Sequence, residues 1–70
     1  MFNVGDQVKL SAVALQHADI REKFPQTNGL LVNETERKSR RRGGQLLTVT
    51  HPQHPGWVAR CFDSVYFEHS

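Results

Sequence analysis

A small all-β barrel with minor helical content, folded as one domain over residues 1–70, is what this sequence predicts. Three observations carry that expectation. Five short stretches have β-like patterning, turn residues punctuate most of the links between them, and a helical period is confined to one early segment. The length agrees, because a chain of 70 residues buries only about 60% of its unfolded surface and supports one limited core.

The first stretch, Asn3 to Leu10, sets Val8 and Leu10 on one face and Gln7 and Lys9 on the other, with Gly5-Asp6 as a turn or bulge signal ahead of it. From Ser11 to Phe24 the period changes. Ser11 is a candidate N-cap before Ala12-Val13-Ala14-Leu15, and Asp19-Ile20-Arg21-Glu22-Lys23 follows with good helix formers. The apolar spacing fits either one helix or two helical turns broken near His17. Pro25 ends the segment, because the residue before a proline avoids helical geometry. Gln26-Thr27-Asn28-Gly29 is a turn cluster.

Leu30 to about Glu36 and about Gln45 to His51 are the second and third strands of an expected hairpin. Pro55-Gly56 suits the centre of a type II turn, since glycine accepts the positive φ required there. Trp57 to Phe62 is the fourth strand, Asp63-Ser64-Val65 a short 3₁₀ turn, and Tyr66-Phe67-Glu68 a last short strand. Alternation gathers Val8, Leu10, Val32, Leu47, Val49, Val58 and Phe62 into a common core.

This order resembles an SH3-like barrel: Gly5-Asp6-Gln7-Val8, a long first loop, Gly29-Leu30-Leu31-Val32, a hairpin, Trp57-Val58, then Phe62 through Phe67. Within that fold it is closer to KOW- and Tudor-like modules, and to small barrel proteins encoded by bacteriophages, than to eukaryotic SH3 domains. The resemblance covers nearly the whole chain and rests on pattern rather than on a diagnostic motif. It implies a five-stranded barrel with a helical insertion, Ser11–Phe24, in its first loop, which departs from the KOW pattern. The paired tryptophans and acidic first loop of domains that bind proline-rich peptides are missing, which argues against that ligand.

Charge is segregated. Of nine Lys and Arg, five lie in the run Arg37-Lys38-Ser39-Arg40-Arg41-Arg42, closed by Gly43-Gly44; the rest of the chain carries four basic and seven acidic side chains. A partner therefore meets a strongly cationic loop on a mildly acidic body. Arg40, Arg41 and Arg42 are the candidate phosphate ligands on nucleic acid, DNA or RNA, with Arg37 and Lys38 adding long-range attraction. Guanidinium groups equally suit carboxylates on an acidic surface of a host protein, such as a transcription or replication enzyme that a phage-type factor docks on. A plain solvated hairpin tip is the third reading. Arg42-Gly43-Gly44 matches a single unit of an RGG box.

Trp57 and Tyr66 are the candidate aromatic contacts, because each carries a polar atom beside a face on which a base can stack. Phe62 is expected in the core. His51, His54, Cys61 and His69 have the elements of a zinc site, yet no CxxC or second paired ligand set accompanies them, so no metal and no cofactor is expected. The histidines would instead add pH-dependent positive charge near the basic hairpin. Nothing marks Cys61 as an activated nucleophile, and Gly43-Gly44 precedes a strand rather than a helix, so no phosphate-cradling loop and no enzyme is expected. One cysteine excludes an internal disulfide. The opening residues lack a basic and then apolar leader pattern, and no stretch has the length of a membrane span, so a cytoplasmic protein without membrane contact is expected. The oligomeric state is left open.

Overall fold

The computed structural model describes residues 1–37 and 44–70. Their order is β1 (Gln7–Leu10), α1 (Ala12–Leu15), α2 (Ala18–Glu22), β2 (Leu30–Glu36), β3 (Leu46–Thr50), β4 (Val58–Asp63), a 3₁₀ turn (Ser64–Tyr66) and β5 (Phe67–His69). The strands form one antiparallel sheet in the order β4-β3-β2-β1-β5. Mostly sheet with two short helices in the first connection, this is the all-β class that the patterning predicts. No helix among the described residues is long and apolar enough to cross a membrane.

Local chemistry explains the insertion. The Ser11 hydroxyl caps α1 by accepting from the Ala14 N–H at 3.4 Å and donates to the Val65 carbonyl at 2.6 Å. The Ser11 N–H bonds the Tyr66 carbonyl at 2.9 Å, so one residue starts the helix and pins it to the 3₁₀ turn. Of the two readings of this segment, the broken one holds. His17 is extended, at φ −106° and ψ 104°, and α2 restarts after it without a side-chain cap. The turn before β4 closes from the Trp57 N–H to the His54 carbonyl at 3.1 Å, with Gly56 at φ +90° as a type II turn requires.

Val8, Leu10, Ala14, Phe24, Leu30, Val32, Leu47, Val49, Ala59 and Phe67 make the core. Five of the seven residues expected there, Val8, Leu10, Val32, Leu47 and Val49, are buried, but Val58 is 38% exposed and Ala59 is buried in its place. The cause is a β-bulge. Leu47 faces Phe62 while Val49 faces Ala59, so β4 carries one residue more than β3 over this stretch. Cys61, at φ +58°, absorbs the irregularity. A bulge switches the inward parity, which lets Ala59 and Phe62 share a face three residues apart and turns Val58 outward. Phe62 packs against the core half-buried, rather than fully within it. A second bulge in β2 leaves Asn33 unpaired in the register, its side-chain oxygen accepting from the Thr50 hydroxyl at 3.1 Å.

Candidate nucleic-acid interface

The basic run sits between β2 and β3. The two strands pair antiparallel, with Glu36 opposite Leu46 as the last rung, and Arg37 follows as an exposed bend. Lys38, Arg40, Arg41 and Arg42 lie outside the described residues. Below that rung the chain is anchored by polar groups. Gln45, only 6% exposed, accepts from the Phe2 N–H through Oε1 at 2.8 Å and donates from Nε2 to the Phe2 carbonyl at 3.0 Å. Its N–H reaches the Ser64 hydroxyl at 3.1 Å, and its carbonyl takes the Ser64 N–H at 2.8 Å. Four hydrogen bonds thus tie the root of the loop to the N-terminal arm and the 3₁₀ turn. Glu34 and Glu36, exposed on β2, place negative charge beside this root and sharpen the boundary between basic loop and acidic body.

The two candidate aromatics part company. Trp57 precedes β4 at the end where Thr50 pairs with Val58, whereas the hairpin root lies where Leu46 pairs with Asp63, roughly 13 Å along the strands. Its Nε1–H donates to the Lys23 carbonyl at 3.2 Å, and its ring meets Phe24 edge-on at 5.3 Å. Trp57 therefore fastens the C-terminal end of α2 to the sheet. Tyr66 lies in the 3₁₀ turn directly after β4, on the hairpin side, half-buried and edge-on to Phe62 at 6.5 Å. The Lys23 ammonium stands 5.8 Å from the Phe62 centroid, within cation–π range.

Phe24 is the residue that binds this region together, and sequence patterning missed it. Its ring contacts Trp57, Phe62 and Phe67 at 5.3, 5.4 and 5.9 Å. The available signal was a large apolar residue directly before Pro25, where the chain must leave the helix and can turn a side chain inward.

The histidines do not cluster near the hairpin as expected. His51 is 4% exposed; its Nε2 meets the Asn28 carbonyl at 3.2 Å and its Nδ1 accepts the Gln53 N–H at 3.1 Å. Those partners assign the ring proton to Nε2, and a Cβ at Gly29 would come within 3.0 Å of that atom. His51 is thus a structural corner at the Trp57 end of the sheet. The His54 ring packs edge-on at 5.1 Å, its buried Nε2 without a hydrogen-bond partner among the described residues. His69 stacks on Phe2 at 4.5 Å and pairs with Asp6 at 3.2 Å. The Asn3 N–H, donated to the Asp6 carboxylate at 2.8 Å, is the main cause that lowers the Asp6 pKa from 3.8; partial burial opposes it and His69 assists. Among the described residues, no three His, Cys, Asp or Glu side chains are grouped to hold a metal ion. Cys61 is exposed.

A scan against protein-family models, a search of curated proteins and a search of solved structures each returned no match.

Proposed function

We propose that this chain is a small non-enzymatic binding module of SH3-like build, acting in the cytoplasm, that grips nucleic-acid backbone through its basic β2–β3 hairpin. One observation carries the reading: five of nine cations fall within six residues, Arg37 to Arg42, on an otherwise acidic chain. The strand order β4-β3-β2-β1-β5 and the 3₁₀ turn between β4 and β5 support the SH3-like part, and the polar anchoring of Gln45 supports a loop presented from a firm base. Arg40, Arg41 and Arg42 are the principal phosphate ligands in this reading, and specificity is modest because phosphate contacts position without reading bases.

A second reading is favoured by a separate observation. Val13 and Leu15 expose apolar surface on α1, at 40% and 45%, which suits a protein partner such as the host enzyme of a phage-type interaction factor.

Replacing Arg40, Arg41 and Arg42 together by Ala tests the first reading. Binding to unrelated duplexes and single strands is measured by anisotropy at several salt concentrations. Five phosphate contacts give the wild type a log–log salt slope of about −4 to −5 on duplex, and the triple variant loses about one unit per contact removed, nearly uniformly across sequences. Stability stays within about 0.5 kcal/mol, as is usual for surface substitutions. A wild type that binds none of these strands at low salt ends this reading in favour of the protein partner.

A further inference from the structure

We propose that the depression between the α1–α2 turn and the 3₁₀ turn takes an unpaired nucleobase, so that the nucleic acid gripped by this protein is single-stranded. The inference rests on the nucleic-acid reading above and adds to it both a site and a strand preference.

The depression has a volume of about 440 Å³, and its walls include Gln16, His17, Asp19, Ile20, Lys23 and Tyr66. Its lining includes one aromatic residue, Tyr66, and one apolar residue, Ile20, both half-buried. Gln16, His17 and Asp19 share the lining, and neither their side chains nor the Tyr66 hydroxyl has a hydrogen-bond partner among the described residues. His17 occupies the N-cap of α2 and makes no side-chain cap bond. The lining therefore combines uncommitted donors and acceptors with an aromatic residue, the chemistry that suits a planar heterocycle with polar edges.

Charge decides against a phosphate in this position. The lining of the depression carries one carboxylate, Asp19, and one ammonium, Lys23, so its formal charges cancel and it has no net attraction for an anion. Lys23 itself is drawn over Phe62 at 5.8 Å, beside the Tyr66 ring that Phe62 contacts at 6.5 Å. A base stacked on Tyr66 would put its own phosphate toward that ammonium. Trp57 lies farther from the basic hairpin, beyond the opposite end of β4, and its ring is already packed against Phe24 at 5.3 Å. A base reaches the Tyr66 wall only when it is out of the duplex stack, and this is the origin of the strand preference.

The test uses fluorescein-labelled oligothymidylate, oligoadenylate and the duplex they form, titrated with the full chain at one low salt concentration. Wild type is expected to bind at least one single strand about tenfold more tightly than the duplex, the scale of one stacked base. Tyr66→Ala should remove that margin and leave duplex binding unchanged, while Tyr66→Phe keeps it. Ala18→Leu fills the depression from an exposed helical position with little demand on the fold, and should match Tyr66→Ala even if the latter melts early. Duplex and single strands bound alike, with both variants silent, would overturn the base site while leaving the nucleic-acid reading standing. No binding to any strand would end both.

Discussion

The helical insertion and the root of the β2–β3 hairpin are both excursions from the same sheet, and they are held down by opposite means. The insertion returns to the sheet through rings: Phe24 at the centre, with Trp57, Phe62 and Phe67 around it. The hairpin root, beside a run of cations, is held to the N-terminal arm and the 3₁₀ turn by Gln45, whose side chain and backbone together make four hydrogen bonds. Apolar anchoring scales with area removed from water. Polar anchoring adds only about 1 kcal/mol net per bond, but leaving its partners unmet is expensive. The two regions should therefore respond differently to truncation.

The largest effect is expected at Phe24. Phe24→Ala removes a ring that is 8% exposed and shared by three aromatic neighbours, which should destabilise the fold by about 3–5 kcal/mol. Phe62→Ala, at a half-buried position, should cost only about 1–2 kcal/mol. Urea denaturation of the two variants measures the difference. A Phe62 effect equal to that of Phe24 would mean that the bulge at Cys61 does not hold Phe62 at the core's edge.

Phe62 also marks how far the sequence is legible. The five strands, the N-cap at Ser11 and the type II turn at Pro55-Gly56 follow from short-range rules of period, capping and φ, and these could be read directly. The break at His17 was legible only as one of two alternatives, which the structure decides. The bulges in β2 and β4 could not be read. A bulge is one extra residue relative to a partner strand far away in the chain, so alternation within β4 alone wrongly sends Val58 inward. Phe24 was hidden because it ends a helical stretch whose period does not single it out. Gln45 and His51 were hidden because polar residues become core residues only when distant backbone groups arrive to pair with them. The same limit applies to the candidate interface. Trp57 and Tyr66 look equivalent as aromatic residues with a polar tip. Only the fold shows that the Trp57 indole N–H fastens α2 through the Lys23 carbonyl while the Tyr66 hydroxyl has no hydrogen-bond partner among the described residues.

Gln45→Ala sharpens the contrast from the polar side. It strips the Phe2 N–H and carbonyl of their partners at a part-buried site, so a loss of about 1–3 kcal/mol is expected. Because the anchoring is local, amide hydrogen exchange should accelerate in the N-terminal arm and at the start of β3, while Phe24 and the insertion keep their protection. Uniform acceleration across the chain would show that the two anchors form one cooperative unit.

The smallest effect concerns Asp6, which ties the N-terminal turn to the last strand, and its sign follows from linkage. The folded-state pKa is lowered from 3.8, chiefly by the Asn3 N–H and further by His69. A depressed carboxyl pKa means that the unfolded chain takes up the proton first as pH falls. Its contribution to stability is therefore fully present above the unfolded value of about 4 and is lost as pH drops through the folded value. Asp6→Asn keeps an oxygen to accept the Asn3 N–H but cannot titrate. The variant should show a shallower decline of melting temperature than wild type below about pH 4, and added salt should narrow the gap only in the part owed to His69, an exposed pair that is readily screened. Parallel acid profiles for the two proteins would mean that this carboxylate is no more stabilised in the folded chain than in the unfolded one. The hold on the N-terminal turn would then fall to its backbone bonds, from Asp6 N–H to the Asn3 carbonyl at 3.0 Å, from Gly5 N–H to the Val32 carbonyl at 2.8 Å and from Val32 N–H to the Asp6 carbonyl at 3.0 Å.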